Sequence, residues 1–160
     1  MWSSSNNRKP HRSPEPDRVA EAALRAAGRR VRSERELAEV LRRRGFAAAA
    51  IRQALTICRA RGVVDDRAAA CLWAETWARQ DYSAEAIQAR LEAKGFGDAV
   101  IRQTAGRLKL SAGDAIRAHA LAARQRRTGR ARTGRRLAAR GFDPDTVTQV
   151  LDETFGPSSE

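Results

Sequence analysis

The hexapeptide Leu41-Arg42-Arg43-Arg44-Gly45-Phe46 recurs as Leu91-Glu92-Ala93-Lys94-Gly95-Phe96 and as Leu137-Ala138-Ala139-Arg140-Gly141-Phe142. Its glycines lie 50 and 46 residues apart, a period that marks helical repeat proteins. An aliphatic residue follows each glycine by six positions (Ile51, Ile101, Val147), and Ser33 and Ser83 precede the first two by twelve. Glycine at the C′ position of a helix adopts the left-handed conformation at little cost, because it has no Cβ. The next residue, C″, is commonly apolar and packs back on C3. With Gly45 at C′, Phe46 falls over Leu41; the other copies put Phe96 over Leu91 and Phe142 over Leu137. Each copy therefore predicts a helix, a Schellman-type stop and a second helix turning back.

Nothing in the composition opposes a helical chain. Alanine, the best helix former, supplies 32 of the 160 residues. It buries little area, so the large side chains at repeat positions must supply most of the core. Four of the five prolines fall in the first sixteen or the last four residues. The expected fold is all-α, an extended array of three tandem three-helix repeats, because units of this kind bury little alone and stack on their neighbours. The repeats are placed at residues 17–62, 63–110 and 111–156. Residues 1–16, polar and without periodicity, read as a disordered basic tail, and 157–160 as a short second tail.

The local signals fill in nine helices. Asp17 is a candidate cap for the first, which runs to about Arg30 with Val19, Ala20, Ala23, Leu24 and Ala27 inward. Ser33 and Glu36 form a capping box for the second, with Leu37, Val40 and Leu41 inward. The third buries Ala50, Ile51, Ala54, Leu55 and Cys58. In Val63-Val64-Asp65-Asp66 either aspartate can cap the fourth helix, while the other sits at its positive end. That helix carries a stripe of Ala69, Ala70, Trp73 and Trp77, read as core packing in preference to base stacking. Ser83 opens the fifth helix with Ile87 and Leu91. Asp98 can cap the sixth, with Ile101, Ala105 and Leu108 inside. Ser111 or Asp114 starts the seventh, with Ile116, Ala120 and Leu121 or their neighbours packed. Gly129 and Gly134 mark a loop before the eighth. Asp143-Pro144 is an N-cap followed by an N1 proline and starts the ninth, with Val147, Val150 and Leu151 inward.

Charge bounds the function. The chain has 31 Lys and Arg against 19 Asp and Glu, a formal net charge of +12. Such a balance favours nucleic acid, an acidic protein surface or an anionic membrane. Charges interrupt every apolar run well before about 18 residues, so no membrane span is expected. No signal peptide is expected either, because residues 1–17 lack an apolar region. The lone Cys58 and Cys71 indicate neither a disulfide framework nor a metal site, which fits a cytoplasmic protein. His11 and His119 have no partner at a catalytic or ligating spacing. No phosphate-cradling glycine loop occurs. No catalytic residue, cofactor or metal is expected, and a monomer acting by binding is.

The residues resemble a known family. Ala23-Leu24 through Arg29, then Ser33-Glu34-Arg35-Glu36-Leu37 and Leu41 to Phe46, resemble the opening of the RecX family. Gly62-Val63-Val64-Asp65-Asp66 with Ala69-Ala70 is similar to that family's G-[YFV]-[IVL]-[DN]-D…A motif, with Val63 where tyrosine is frequent. Leu91 to Phe96 and Arg140 to Val147 match its later segments, and the likeness spans about residues 20 to 155. The third repeat departs from its siblings: Thr133 stands where they have Leu37 and Ile87, and no serine caps it. The resemblance implies tandem three-helix repeats and a regulator, usually negative, of the RecA recombinase. Such proteins bind along the groove of the RecA–DNA filament and restrain its growth, ATP hydrolysis, strand exchange and promotion of repressor self-cleavage.

Two arginine groups are the expected contacts. Arg29, Arg30 and Arg32 with Arg42, Arg43 and Arg44 form the first. Arg124, Arg126, Arg127, Arg130, Arg132, Arg135 and Arg136 form the second, in a span from Ala115 to Phe142 without an acidic residue. The expected partners are the RecA filament and, weakly and salt-sensitively, single- or double-stranded DNA. The rival reading is a helical module acting directly on DNA, whose exposed helix offers mainly Arg52-Gln53 or Arg102-Gln103 to base edges. A scaffold without nucleic acid is a third.

Overall fold

The computed structural model describes residues 15–157. Nine α-helices and two single 3₁₀ turns, Ser111–Gly113 and Arg126–Thr128, make up the regular structure, with no strand among the described residues. The α-helices are α1 (Glu15–Ala27), α2 (Glu34–Arg43), α3 (Ala48–Ala60), α4 (Asp66–Arg79), α5 (Ala84–Ala93), α6 (Asp98–Arg107), α7 (Asp114–Gln125), α8 (Arg130–Ala139) and α9 (Pro144–Phe155). The protein is an all-α helical repeat.

Each hexapeptide closes as its spacing predicts. Gly45, Gly95 and Gly141 have φ of 81°, 83° and 83°. The Phe46, Phe96 and Phe142 N–H groups donate to the carbonyls of Leu41, Leu91 and Leu137 at 3.4, 3.2 and 3.3 Å. These are the C″-to-C3 bonds of the Schellman motif. Leu41, Leu91 and Leu137 are fully buried beneath them.

Three clusters of buried side chains follow the chain order. Val19, Leu37, Leu41, Ile51, Leu55 and Cys58 centre the first; Trp77, Ile87, Leu91, Phe96, Ile101 and Leu110 the second; Leu121, Leu137, Phe142, Val150 and Leu151 the third. The chain forms two compact units. One comprises residues up to Val31 together with Leu37–Val64; the other comprises Arg32–Glu36 and Asp65 onward. In the first, α1 packs on α3; in the second, α4 packs on α5 and α6, and α9 on α7 and α8.

The structure corrects several local expectations. The first helix begins at Glu15, so Asp17 lies in its first turn and does not cap it, and it ends at Ala27 before Gly28. The rest of the expected tail, with His11, lies outside the described residues. Asp98 occupies the first helical position behind Gly97, the N-cap. On α7, Ile116 is 73% exposed, and the buried stripe is Ala118, Leu121 and Ala122. Ala118 and Ala122 lie at helical spacing in the third cluster with Leu137, Val150 and Leu151, leaving the branched Ile116 on the outer face.

Candidate interaction surface

The N-termini of the middle helices show how the repeats are joined. Ser33 and Glu36 make the reciprocal capping box: Glu36 N–H donates to Ser33 Oγ at 3.1 Å, and Ser33 N–H to Glu36 Oε2 at 3.3 Å. The Ser33 hydroxyl then donates to the Lys94 carbonyl at 2.5 Å, in the stop of the next repeat. Ser83 repeats the arrangement, accepting from Ala86 N–H at 3.1 Å and donating to the Gly141 carbonyl at 2.6 Å. A carboxylate completes each joint. Asp66 Oδ1 accepts from Glu34 N–H, and Asp114 Oδ1 from Ala84 N–H, both at 2.8 Å.

This divides the labour in Asp65-Asp66. Asp65 caps its own helix by accepting from Arg67 and Ala68 N–H at 2.9 and 3.1 Å, while Asp66 reaches across 32 positions to Glu34. Asp114 does not cap α7, whose N-cap Gly113 offers no side chain. Its carboxylate also accepts from Arg117 at 2.6 Å, and Arg117 in turn donates to the Tyr82 and Leu110 carbonyls. A salt bridge of Lys94 with Glu36 at 3.1 Å ties the first joint again.

The tryptophan stripe belongs to the structure. Trp77 is 8% exposed and Trp73 half-buried, stacked at 5.4 Å between ring centroids. Lys94 covers Trp73 at 4.0 Å, Arg90 lies over Trp77 and Tyr82, and Arg140 lies over Tyr82 at 4.2 Å. Cations already occupy ring faces where a base would stack.

The first arginine group separates in space. Arg29, Arg30 and Arg32 lie in the turn before α2, whereas Arg42 and Arg43 end that helix and Arg44 follows it. A helix of ten residues is about 15 Å long, so the triplets stand at its opposite ends. Arg42 and Arg43 also share Glu39.

The second group stays contiguous, with two members committed elsewhere. Arg124 pairs with Asp81. Arg130 holds Asp152 at 2.5 Å and the Gly156 carbonyl at 2.6 Å, at the end of α9. Arg126 and Arg127, in the 3₁₀ turn, and Arg132, Arg135 and Arg136, on one face of α8, are exposed. None of these five has a carboxylate within ion-pair reach among the described residues. The local field is strongly positive and open to solvent.

The exposed pairs named for base reading fall elsewhere. Arg102 lines an open groove of about 420 Å³ between α5 and α6 that it shares with Glu85, Glu92 and Asp98. Three carboxylates to one arginine repel a phosphate backbone. His119 approaches Glu153 at 3.3 Å on the surface, a pairing of α7 with α9 that separation along the chain concealed. No cluster of three or more His, Cys, Asp or Glu suited to a metal occurs among the described residues. Burial pushes the Cys58 thiol above its ordinary range.

Comparison of the sequence with protein-family models and with curated proteins finds no match. Solved structures do match. The crystal structure of RecX from Lactobacillus salivarius aligns over 88% of this chain and 96% of its own, at 20% identity and a TM-score of 0.68. The chain has a RecX-like fold. A second crystal structure, of the regulatory protein RecX, aligns over 86% of this chain and 72% of its own, at 19% identity and a TM-score of 0.69. At these identities the likeness to RecX is one of fold. Among the described residues no helix is long and apolar enough to cross a membrane.

Proposed function

We propose that this protein is a non-enzymatic regulator of the RecA recombinase. It binds the RecA–DNA filament and restrains its ATPase, strand-exchange and co-protease activities in DNA repair and the SOS response. The observation that carries this reading is the coincidence, in one chain, of a RecX-like fold with motifs that resemble those of the RecX family in their order along the sequence. The motif residues Ser33 and Asp66 are joint residues, and Gly95 and Phe96 form a stop, so the resemblance falls on the parts that build the repeat. In this reading the chain is cytoplasmic and monomeric, with residues 17–62, 63–110 and 111–156 as its repeats. Arg126, Arg127, Arg132, Arg135 and Arg136 are the principal cations facing the filament, and the two triplets flanking α2 are a lesser pair of contacts.

Direct action on DNA is the competing reading, favoured by the five exposed arginines and opposed by the acidic groove beside Arg102. One titration separates the two. The protein is added to RecA on single-stranded DNA while ATP hydrolysis is followed, with DNA-only binding measured across the same salt series. Inhibition well below one protein per RecA, at salt that abolishes DNA-only binding, is the expected result. Inhibition that appears only as the DNA becomes coated would replace filament regulation with competition for DNA.

A further inference from the structure

The basic residue before the second and third stop glycines lies over an aromatic ring, Lys94 over Trp73 and Arg140 over Tyr82. Glu36 neutralises Lys94 at 3.1 Å. Ala86 follows Ser83 by three residues as Glu36 follows Ser33, so the second joint lacks the corresponding carboxylate. A second cation stands there instead. The Arg90 guanidinium carbon lies 4.0 Å from the Tyr82 ring centre and that of Arg140 4.2 Å, which keeps the two within about 8 Å of each other. Neither guanidinium has a hydrogen bond or ion pair to another described residue.

The ring between them is fixed. Tyr82 N–H donates to the Trp77 carbonyl at 3.1 Å, and the Tyr82 carbonyl accepts from Arg117 Nε at 3.0 Å. Ser83 N–H donates to the Arg140 carbonyl at 3.0 Å, tying the backbone beside Tyr82 to that of Arg140. Stacking engages the flat faces of the guanidiniums. Their in-plane edges, five N–H donors each, keep no protein acceptor among the described residues. Arg90 is exposed and Arg140 half-buried.

The geometry points to a phosphate clamp: Arg90 and Arg140, aligned by Tyr82, hold the sugar–phosphate backbone of a nucleic-acid strand. The planar fork of an arginine matches phosphate oxygens two at a time. Arg136 and Arg132 precede Arg140 by one and two helical turns, about 6 Å each, and extend the clamp into a line of exposed cations. A polymer with a charge on every unit suits such a line. A protein partner is the poorer match, because protein interfaces depend on buried apolar or aromatic anchors. Val31, Val63, Leu72 and Ile116 are the exposed large apolar side chains among the described residues, and none lies on α5 or α8. With cations over the rings, the clamp grips phosphates and reads no base. It serves a filament-bound regulator and a protein acting on free DNA alike, so it does not depend on which of those readings stands.

The test uses the full chain and a labelled single-stranded oligothymidylate, followed by fluorescence anisotropy. Tyr82→Phe keeps the ring and is expected to change affinity less than about twofold. Tyr82→Leu removes the ring at unchanged net charge and is expected to weaken binding about fivefold. Arg90→Lys, on an exposed side chain, keeps the charge but loses the fork, and is expected to weaken binding comparably while leaving the melting temperature in place. Affinity unchanged in Arg90→Lys would mean that charge alone is felt, and would overturn the clamp. On the unmodified protein, the oligonucleotide is expected to shift the Nε–H resonances of Arg90 and Arg140 in a nitrogen–proton correlation spectrum. Absence of those shifts overturns the proposal whatever the variants do. Stronger shifts with a glutamate-rich peptide of equal charge would make the surface a docking site for an acidic protein, and would equally overturn it.

Discussion

The Ser83 hydroxyl lies 2.6 Å from the Gly141 carbonyl oxygen, 58 positions away, and accepts the Ala86 N–H at 3.1 Å. One side chain thus starts a helix in one repeat and satisfies a helix stop in the next. Ser33 does the same between Glu36 N–H and the Lys94 carbonyl. A capping residue read from sequence is therefore also a joint, and helix formation and repeat stacking depend on the same atom.

Removing that atom tests the coupling. Ser83→Ala should lower stability by about 1–2 kcal/mol, the loss of a cap together with a second bond. For a chain of this size that corresponds to a melting temperature lower by roughly 2–8 °C. Asp114→Asn, which weakens the companion bond to Ala84 N–H, should combine with it non-additively. A double-mutant cycle of thermal unfolding checks this, because sites in contact do not add.

The three stop glycines should differ in cost. All have φ above 80°, where a side chain costs about 1–2 kcal/mol. A Cβ on Gly45 would meet nothing within 4 Å, whereas one on Gly141 would lie 2.6 Å from Ala86 Cβ and 2.9 Å from Ser83 Oγ. Gly45→Ala should therefore cost only the backbone term, and Gly141→Ala more than about 3 kcal/mol, backbone and clash together. Chemical denaturation of the two variants side by side measures the difference.

Acid should weaken the start of α9. Hydrogen bonds from the Thr146 hydroxyl at 2.6 Å and its N–H at 2.9 Å hold the Asp143 carboxyl below its usual range. The folded value is the lower one. The carboxylate's stabilisation is thus fully present above the unfolded value, about 4, and is lost as pH falls through the folded value. Asp143→Asn, which caps without titrating, should flatten the acid limb of a melting-temperature profile taken downward from neutral pH.

Salt dependence should report on the exposed arginines of α8. Arg135→Glu with Arg136→Glu should reduce the slope of log affinity for single-stranded DNA against log salt by roughly one to two. The same change at Arg124 and Arg130 should alter the slope less and the melting temperature more, since those guanidiniums hold Asp81 and Asp152. Affinity titrations at several salt concentrations decide between them.

The sequence by itself determined the all-α class, the three helix stops and the main buried leucines, because those rest on local rules. A glycine followed by an apolar residue closes a helix whatever surrounds it, and Leu41, Leu91 and Leu137 follow from the geometry of that stop. Asp65 and Asp66 were legible as helix-start residues. Only the tertiary structure decided that the second of them serves Glu34, because a bond spanning 32 positions leaves no local spacing to read. The arginine groups show the same limit. Their charge is written in the composition, but pairing of Arg124 and Arg130 with Asp81 and Asp152 depends on which helices meet. So does the exposure of Ile116, since the face of the alanine-rich α7 that turns inward is the one that packs with Leu137, Val150 and Leu151 of α8 and α9. Local backbone geometry is encoded residue by residue; partnership between distant groups exists only once the helices are packed.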